Sequence, residues 1–222
     1  MMEFFLRNVY PWMIDVSALS ILLPLITVLI FYLKARYNKL FWLVSFFVFS
    51  LALSELLGYL TVFLGAKNNI WSQHLLTPLR FGLIAAIYYY SFWRPLFKKG
   101  TVLAVILLLI VSITDATIGV GITQMNAVAK TVESTLVIGF AILYFYKIAK
   151  DQHITYLDRD PVFLLSCGLL IHRAGTSMSW GLFNDALAES YDAARICLAV
   201  ILALNILFSI NLVYVLKLAS EK

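Results

Sequence analysis

The sequence predicts an all-α fold, a bundle of seven transmembrane helices with the N-terminus outside and the C-terminus in the cytoplasm. Three observations carry this expectation. Of 222 residues, 62% are hydrophobic and only 13% are charged. Mean hydropathy is +0.90. A soluble domain carries about 25% charged residues, so this chain has too little polar surface to cover itself in water. Next, apolar runs recur at or near the ~20 residues needed to cross ~30 Å of hydrocarbon. They do not alternate as the ~10-residue strands of a membrane barrel would. Finally, the basic residues are segregated. Loops 1–2, 3–4 and 5–6 with the C-terminal tail hold eleven (Lys34, Arg36, Lys39, Arg94, Lys98, Lys99, Lys147, Lys150, Arg159, Lys217 and Lys222). The N-terminus and loops 2–3 and 4–5 hold three, Arg7, Lys67 and Lys130. Cytoplasmic loops carry such an excess, which sets the orientation.

The spans follow in order as 16–33, 40–64, 75–97, 101–121, 127–148, 162–183 and 193–218, within a single membrane domain over 1–222. Span 1 should be retained, because no basic region or small-residue cleavage site precedes it. Pro24 at its middle should kink it. Pro78 is placed in the first turn of span 3, where its missing donor costs nothing. Thr101 is a candidate N-cap for span 4. Asp160 and Pro161 form a cap and first-turn pair for span 6. Residues 184–192 read as an acidic link. Tyr37, Trp42, Trp93 and Tyr146 fall where an inner interface belt belongs.

The charges within the spans carry the functional content. At ~1.5 Å per residue, Glu55 on span 2 and Asp115 on span 4 lie at similar heights in the outer half. Arg80 on span 3 and Glu133 on span 5 lie one or two turns in from the outside. His172 and Arg173 on span 6 sit near the middle or slightly above. Arg195 starts span 7 at the outer rim. A charge at the centre of a helix in hydrocarbon costs about 2.5–3.5 kcal/mol on insertion scales, so these groups must face an interior with partners. Two readings follow. In one, they line a pocket in the outer half for a small ligand or a lipid head group. Arg173, Thr176 and Trp180 share a face there by i, i+3, i+7 spacing, and arginine beside an aromatic suits a carboxylate, phosphate or flat group. In the other, they neutralise one another and only fix helix packing. His172 fits a hydrogen-bonded interior histidine, and Asn205 with Ser209 fits interhelical hydrogen bonding.

Several chemistries are excluded as expectations. His74, His153 and His172 fall in three separate segments, so no metal site and no cofactor is expected. HExxH, GxSxG and phosphate-loop motifs are absent. Span 7 has no mid-span lysine for a retinal Schiff base, since Lys217 is at its cytoplasmic end. Cys167 and Cys197 lie within spans and suggest no disulfide framework. The net charge of +5 sits in short clusters between spans, as topology predicts, and does not point to nucleic acid. The chain does not read as an enzyme.

Spans 1–3 and 5–7 share an orientation pattern, with matches at offsets of 113 residues (Phe31-Tyr32-Leu33-Lys34 with Tyr144-Phe145-Tyr146-Lys147) and 115 residues (Arg80 with Arg195). This suggests a 3+1+3 parallel repeat, an arrangement known among transporters. The segment from Ser54-Glu55-Leu56 through Asn68-Asn69-Ile70-Trp71 to His74-Leu75-Leu76-Thr77-Pro78-Leu79-Arg80 resembles a group of short, uncharacterised bacterial seven-helix integral membrane proteins of the Bacteroidota type. In that pattern an acid often sits where this chain has Arg80. Related regions also precede sensor kinase domains. The resemblance implies a sensory module of the plasma (inner) membrane that binds a small molecule and signals through a membrane partner. A small-solute transporter and a purely structural subunit remain as alternatives.

Overall fold

A computed structural model describes residues 5–65, 70–118, 126–151 and 156–221. Lys67, Asn68, Asn69, His153, Lys222 and the last residues assigned to span 4 lie outside the described residues. Among the described residues the chain forms seven long helices and no strand. They are α1 (Phe5–Phe31), α2 (Lys39–Phe63), α3 (Ile70–Ser91), α4 (Pro95–Thr117), α5 (Ala127–Asp151), α6 (Pro161–Glu189) and α7 (Tyr191–Glu221). A short 3₁₀ turn, Leu157–Arg159, precedes α6. Five of the seven, namely α1, α2, α4, α5 and α7, are long and apolar enough to cross a membrane. The two that fall short are the ones carrying Arg80 and the His172–Arg173 pair.

Prolines and caps explain most helix ends. α1 opens with a π turn at Phe5–Val9 and is interrupted at Ile21, three residues before Pro24. Pro24 cannot donate to the Ser20 carbonyl, and the next bond, Leu25 N–H to the Ile21 carbonyl, is stretched to 3.4 Å; a ladder interruption of this kind is the usual origin of a kink. Asn38 caps α2, its Oδ1 accepting from the Leu40 and Phe41 amides at 2.9 and 3.2 Å. Its Nδ2 donates to the Ala219 carbonyl at 2.8 Å and ties this corner to the end of α7. Asp160 caps α6, its Oδ1 accepting from the Val162 amide at 3.1 Å, with Pro161 in the first turn. Its other oxygen accepts from Tyr144 Oη at 2.6 Å.

Several boundaries differ from the sequence expectation, most of all in α1, which starts at Phe5 and not at position 16, and in α3, which ends at Ser91 and not at position 97. α3 starts at Ile70, so Pro78 is interior rather than in the first turn. α4 starts at Pro95, which can open a helix but not continue the preceding one. Thr101 is therefore not a cap, and its Oγ1 donates back to the Phe97 carbonyl at 2.9 Å. The stretch read as an acidic link is helical to Glu189. The chain breaks only at Ser190, whose Oγ accepts from the Ala193 amide at 3.0 Å and caps α7.

Consecutive helices pack side by side, and α7 returns against α1 to close the ring. α3 is the innermost helix: Phe81, Ile84, Ile87 and Tyr88 are at most 1% exposed. They belong to one buried cluster with Phe47 of α2, Phe140 of α5, Leu165 and Leu169 of α6 and Leu212 of α7, and Phe81 and Tyr88 touch the Phe140 ring. The outward faces carry exposed Leu29, Ile30, Leu103, Ile113 and Leu207, an apolar exterior that fits a multi-pass membrane protein. At one end of the bundle basic groups lie over aromatic rings: Arg36 over Tyr37, Arg94 over Trp93, Lys98 over Tyr89 and Lys150 over Tyr146.

The tightest contact joins α6 and α7. A Cβ at Gly168 would fall 2.3 Å from Asn211 Oδ1, and one at Gly175 would fall 2.5 Å from Leu204 Cδ1. Small residues permit such close approach where hydrocarbon offers no hydrophobic drive between helices. Gly168→Ala should therefore destabilise the bundle by about 1–3 kcal/mol. Gly139→Ala, which meets nothing within 4 Å, should be neutral or slightly stabilising. Thermal unfolding in mild detergent checks both, and equal melting of the two variants would show that α6 and α7 are not held this closely.

Candidate functional site

Polar side chains converge in the interior near the kink of α1. Arg80, on the innermost helix, is held by neutral acceptors. Its Nη2 donates to Gln73 Oε1 at 2.9 Å and its Nε to the Leu76 carbonyl at 3.3 Å. Gln73 in turn donates to Ser54 Oγ on α2 at 3.1 Å. Arg173 projects from α6 to α5, its Nη2 donating to Glu133 Oε1 at 2.6 Å. Their side chains are 14% and 4% exposed, so this is an interior ion pair. Arg173 Nε is buried without a partner. The His172 ring lies 4.8 Å from that of Phe208, and its Nε2 is 2.9 Å from Asn205 Oδ1. Nδ1 of the same ring is buried without a partner.

These groups surround a cavity with about 130 Å³ of space large enough for water. A single water needs roughly 10–15 Å³ by that measure, so several waters or a small ligand group would fit. Ser17 and Ile21 of α1, Ser54 and Glu55 of α2, Arg80 of α3, His172 and Arg173 of α6, and Asn205 and Ser209 of α7 form its polar walls and mouth. Phe47 and Phe208, with ring centroids 6.2 Å apart, close one end. Ser209 Oγ accepts from Ser20 Oγ at 3.0 Å across the α1–α7 seam. Glu55 is exposed at the rim, forms no hydrogen bond or ion pair among the described residues, and shares the cavity with Arg80.

Of the residues singled out in the sequence, the structure brings together Glu55, Arg80, His172 and Arg173 on one cavity, with Glu133 behind Arg173. Thr176 is buried just above, its Oγ1 donating to the His172 carbonyl at 2.7 Å, and it does not line the cavity. Trp180 belongs to α6 by its backbone, and its side chain lies outside the described residues. Asp115 is buried on α4 away from the cavity, with Oδ2 unpartnered. Arg195 is exposed at the start of α7 and contacts Asp192 at 3.3 Å. Ser17, Ser54 and Gln73 were not singled out. A serine or glutamine is common enough on any helix that only the three-dimensional arrangement identifies them. Asn205 and Ser209 do make interhelical bonds, and both also face the cavity.

The arrangement offers guanidinium donors, one carboxylate without a direct partner and an imidazole. No nucleophile is hydrogen-bonded to a base in it. Among the described residues no three His, Cys, Asp or Glu side chains gather closely enough to hold a metal ion. Comparison of the chain with protein-family models, with curated proteins and with solved structures finds no match.

Breaking an interior ion pair leaves a charge without compensation, at about 3–5 kcal/mol. Glu133→Leu and Arg173→Leu should each destabilise by that amount, and the double variant by much less than their sum. Unfolding in mixed micelles measures the coupling, and strictly additive losses would show that the two groups do not act as a pair.

Proposed function

We propose that this chain is a seven-span protein of the plasma (inner) membrane that binds a small ligand in the outer half of its bundle and serves as a receptor-like or sensory module. The observation that carries this reading is the cavity itself. It gathers Glu55, Arg80, His172 and Arg173, with Arg173 Nε and His172 Nδ1 buried without hydrogen-bond partners and Glu55 exposed at its mouth. If the charges only fixed helix packing, they would be paired off and the space between them closed. Ionisable groups within a membrane usually mark a functional site.

The segregated basic residues and their stacking on interface aromatics support a cytoplasmic position for that end, which puts the cavity towards the outside. Beyond the cavity, towards the basic end, Phe81 stacks on Phe140, and Tyr88 packs between Phe92 and Phe140. That apolar plug favours a site that holds its ligand over a path that passes it through. A sensory role further calls for a membrane partner that reads the occupied state.

Native mass spectrometry of the purified chain, wild type beside Arg80→Gln, tests the proposal. The wild type should leave detergent carrying a bound small molecule. Arg80→Gln keeps polar partners for Gln73 and should stay folded, while retaining about a tenth or less of that mass, the loss expected for one charge-assisted contact. An empty wild-type cavity, with no rise in melting temperature across a panel of small carboxylates and phosphates, would reject a ligand site. Uptake of the retained molecule into proteoliposomes by the chain alone would shift the function to transport.

A further inference from the structure

A second hollow lies beside the cavity. A groove of about 660 Å³ runs between α1 and α2 on the outward face of the bundle, with walls that include Leu22, Leu25, Leu53 and Leu56. Ile21 and Glu55 border both the groove and the cavity. α1 packs chiefly against α7 and only lightly against α2, which leaves this seam open. Glu55 is thus a carboxylate at the mouth, with hydrocarbon-facing walls on one side and Arg80 on the other.

Resting on the ligand-site reading above, we propose that the occupant enters sideways from the bilayer and is a single-chain amphiphile ending in a carboxylate or phosphate. The spatial order of the protein groups fixes the order of groups along the ligand. The apolar groove takes the tail. Glu55, at the threshold, accepts a hydrogen bond from a hydroxyl or amide N–H next to the tail. The guanidinium of Arg80, with Arg173 on the same cavity wall, takes the terminal anion. Arg80 can take this charge because its hydrogen bonds go only to neutral carbonyls and no carboxylate touches it, whereas Arg173 holds Glu133 directly and the single Glu133 carboxylate is shared among Arg80, Lys130 and Arg173. A cationic head at the end of the tail would reach Glu55 but bring no anion to Arg80, so it leaves the deeper part of the site unfilled. A head with its cation furthest from the tail would place that cation deepest, between two arginines. The same geometry accounts for Glu55. An unpartnered carboxylate facing hydrocarbon is costly, and a donor on a bound amphiphile supplies what the protein does not.

The test uses N-dodecanoylglycine, which has a tail, an amide N–H and a terminal carboxylate in that order. It is titrated calorimetrically into the full chain in nanodiscs of phosphatidylcholine. N-acetylglycine lacks the tail, N-dodecanoylsarcosine lacks the N–H, and dodecyltrimethylammonium reverses the charge. N-dodecanoylglycine should bind more than about tenfold tighter than N-acetylglycine, because even two buried methylenes supply that factor. It should also bind tighter than the other two amphiphiles. Ala52→Trp, which fills the groove away from the cavity, should remove the advantage of the tail and leave N-acetylglycine unaffected. Ala18→Trp repeats the test from α1. Glu55→Leu should erase the preference for the glycine over the sarcosine compound, and Arg80→Gln should weaken both. If N-acetylglycine binds as tightly as its dodecanoyl counterpart, the sideways entry is wrong and the ligand site stands. If none of the four binds the folded chain, this ligand class is wrong, and only a mass retained in the native spectra would keep the site. If binding of the amphiphile is unchanged by both Ala52→Trp and Arg80→Gln, it is partition into lipid and the inference falls.

Discussion

Hydrocarbon solvates neither a charge nor a backbone polar group, and the rest of this structure depends on that constraint. It turns the usual pattern of a globular protein around. Large apolar side chains crowd the outside, while serines, asparagines, arginines and acids turn inward. α3 and α6 are the two helices too polar to qualify as spans by composition. They tolerate Arg80 and Arg173 because other helices cover their polar faces. α3 is wrapped by α2, α4 and α5, and α6 lies between α5 and α7. The outer helices therefore supply the apolar surface that makes two polar helices admissible.

The two arginines satisfy this constraint differently. Arg173 has a carboxylate at 2.6 Å, so its charge is spent within the protein. Arg80 is met by carbonyl oxygens of Gln73 and Leu76, which satisfy donors, and the acids that act on its charge, Glu133 and Glu55, do so without touching it. Glu55 is the converse, a carboxylate with no direct donor. Pairing of Glu55 with Arg80 would have filled the space between them. They stand instead on the same cavity without touching, and that separation is what makes the interior chemically available.

Much of this was legible in the sequence, because the membrane imposes a length and a depth on every helix. Counting residues from the ends of the apolar runs placed Glu55, Arg80, Glu133, His172 and Arg173 at similar heights, and they do assemble. The same counting could not assign azimuth. Asp115 is at the right height but on α4, which packs on α3 and α5 and reaches no part of the cavity. Arg195 sits at a helix start where solvent is available, and so had no need to turn inward. Boundaries failed where local chemistry outweighed hydropathy. Pro95 moved the start of α4 six residues ahead of the expected Thr101, and the polar residues after position 183 continued α6 because nothing in them breaks a helix before Ser190. The neutral polar lining was illegible for a different reason. Ser17, Ser54 and Gln73 gain meaning only from what stands opposite them.

The position of the cavity follows from how unevenly the ring is packed. Gly168 and Gly175 let α6 and α7 approach until side chains of α7 occupy the space a Cβ would need. α1 is drawn to α7 by the Ser20–Ser209 bond and by the Asn38–Ala219 tie at the far end. A ring tight on that side has its slack between α1 and α2. Pro24 adds to it, since the interrupted turn at Ile21 lies on the border of both the cavity and the groove. The polar cavity and the groove beside it thus follow from one packing asymmetry, with close contact at the glycines of α6 on one side and the interrupted turn before Pro24 on the other.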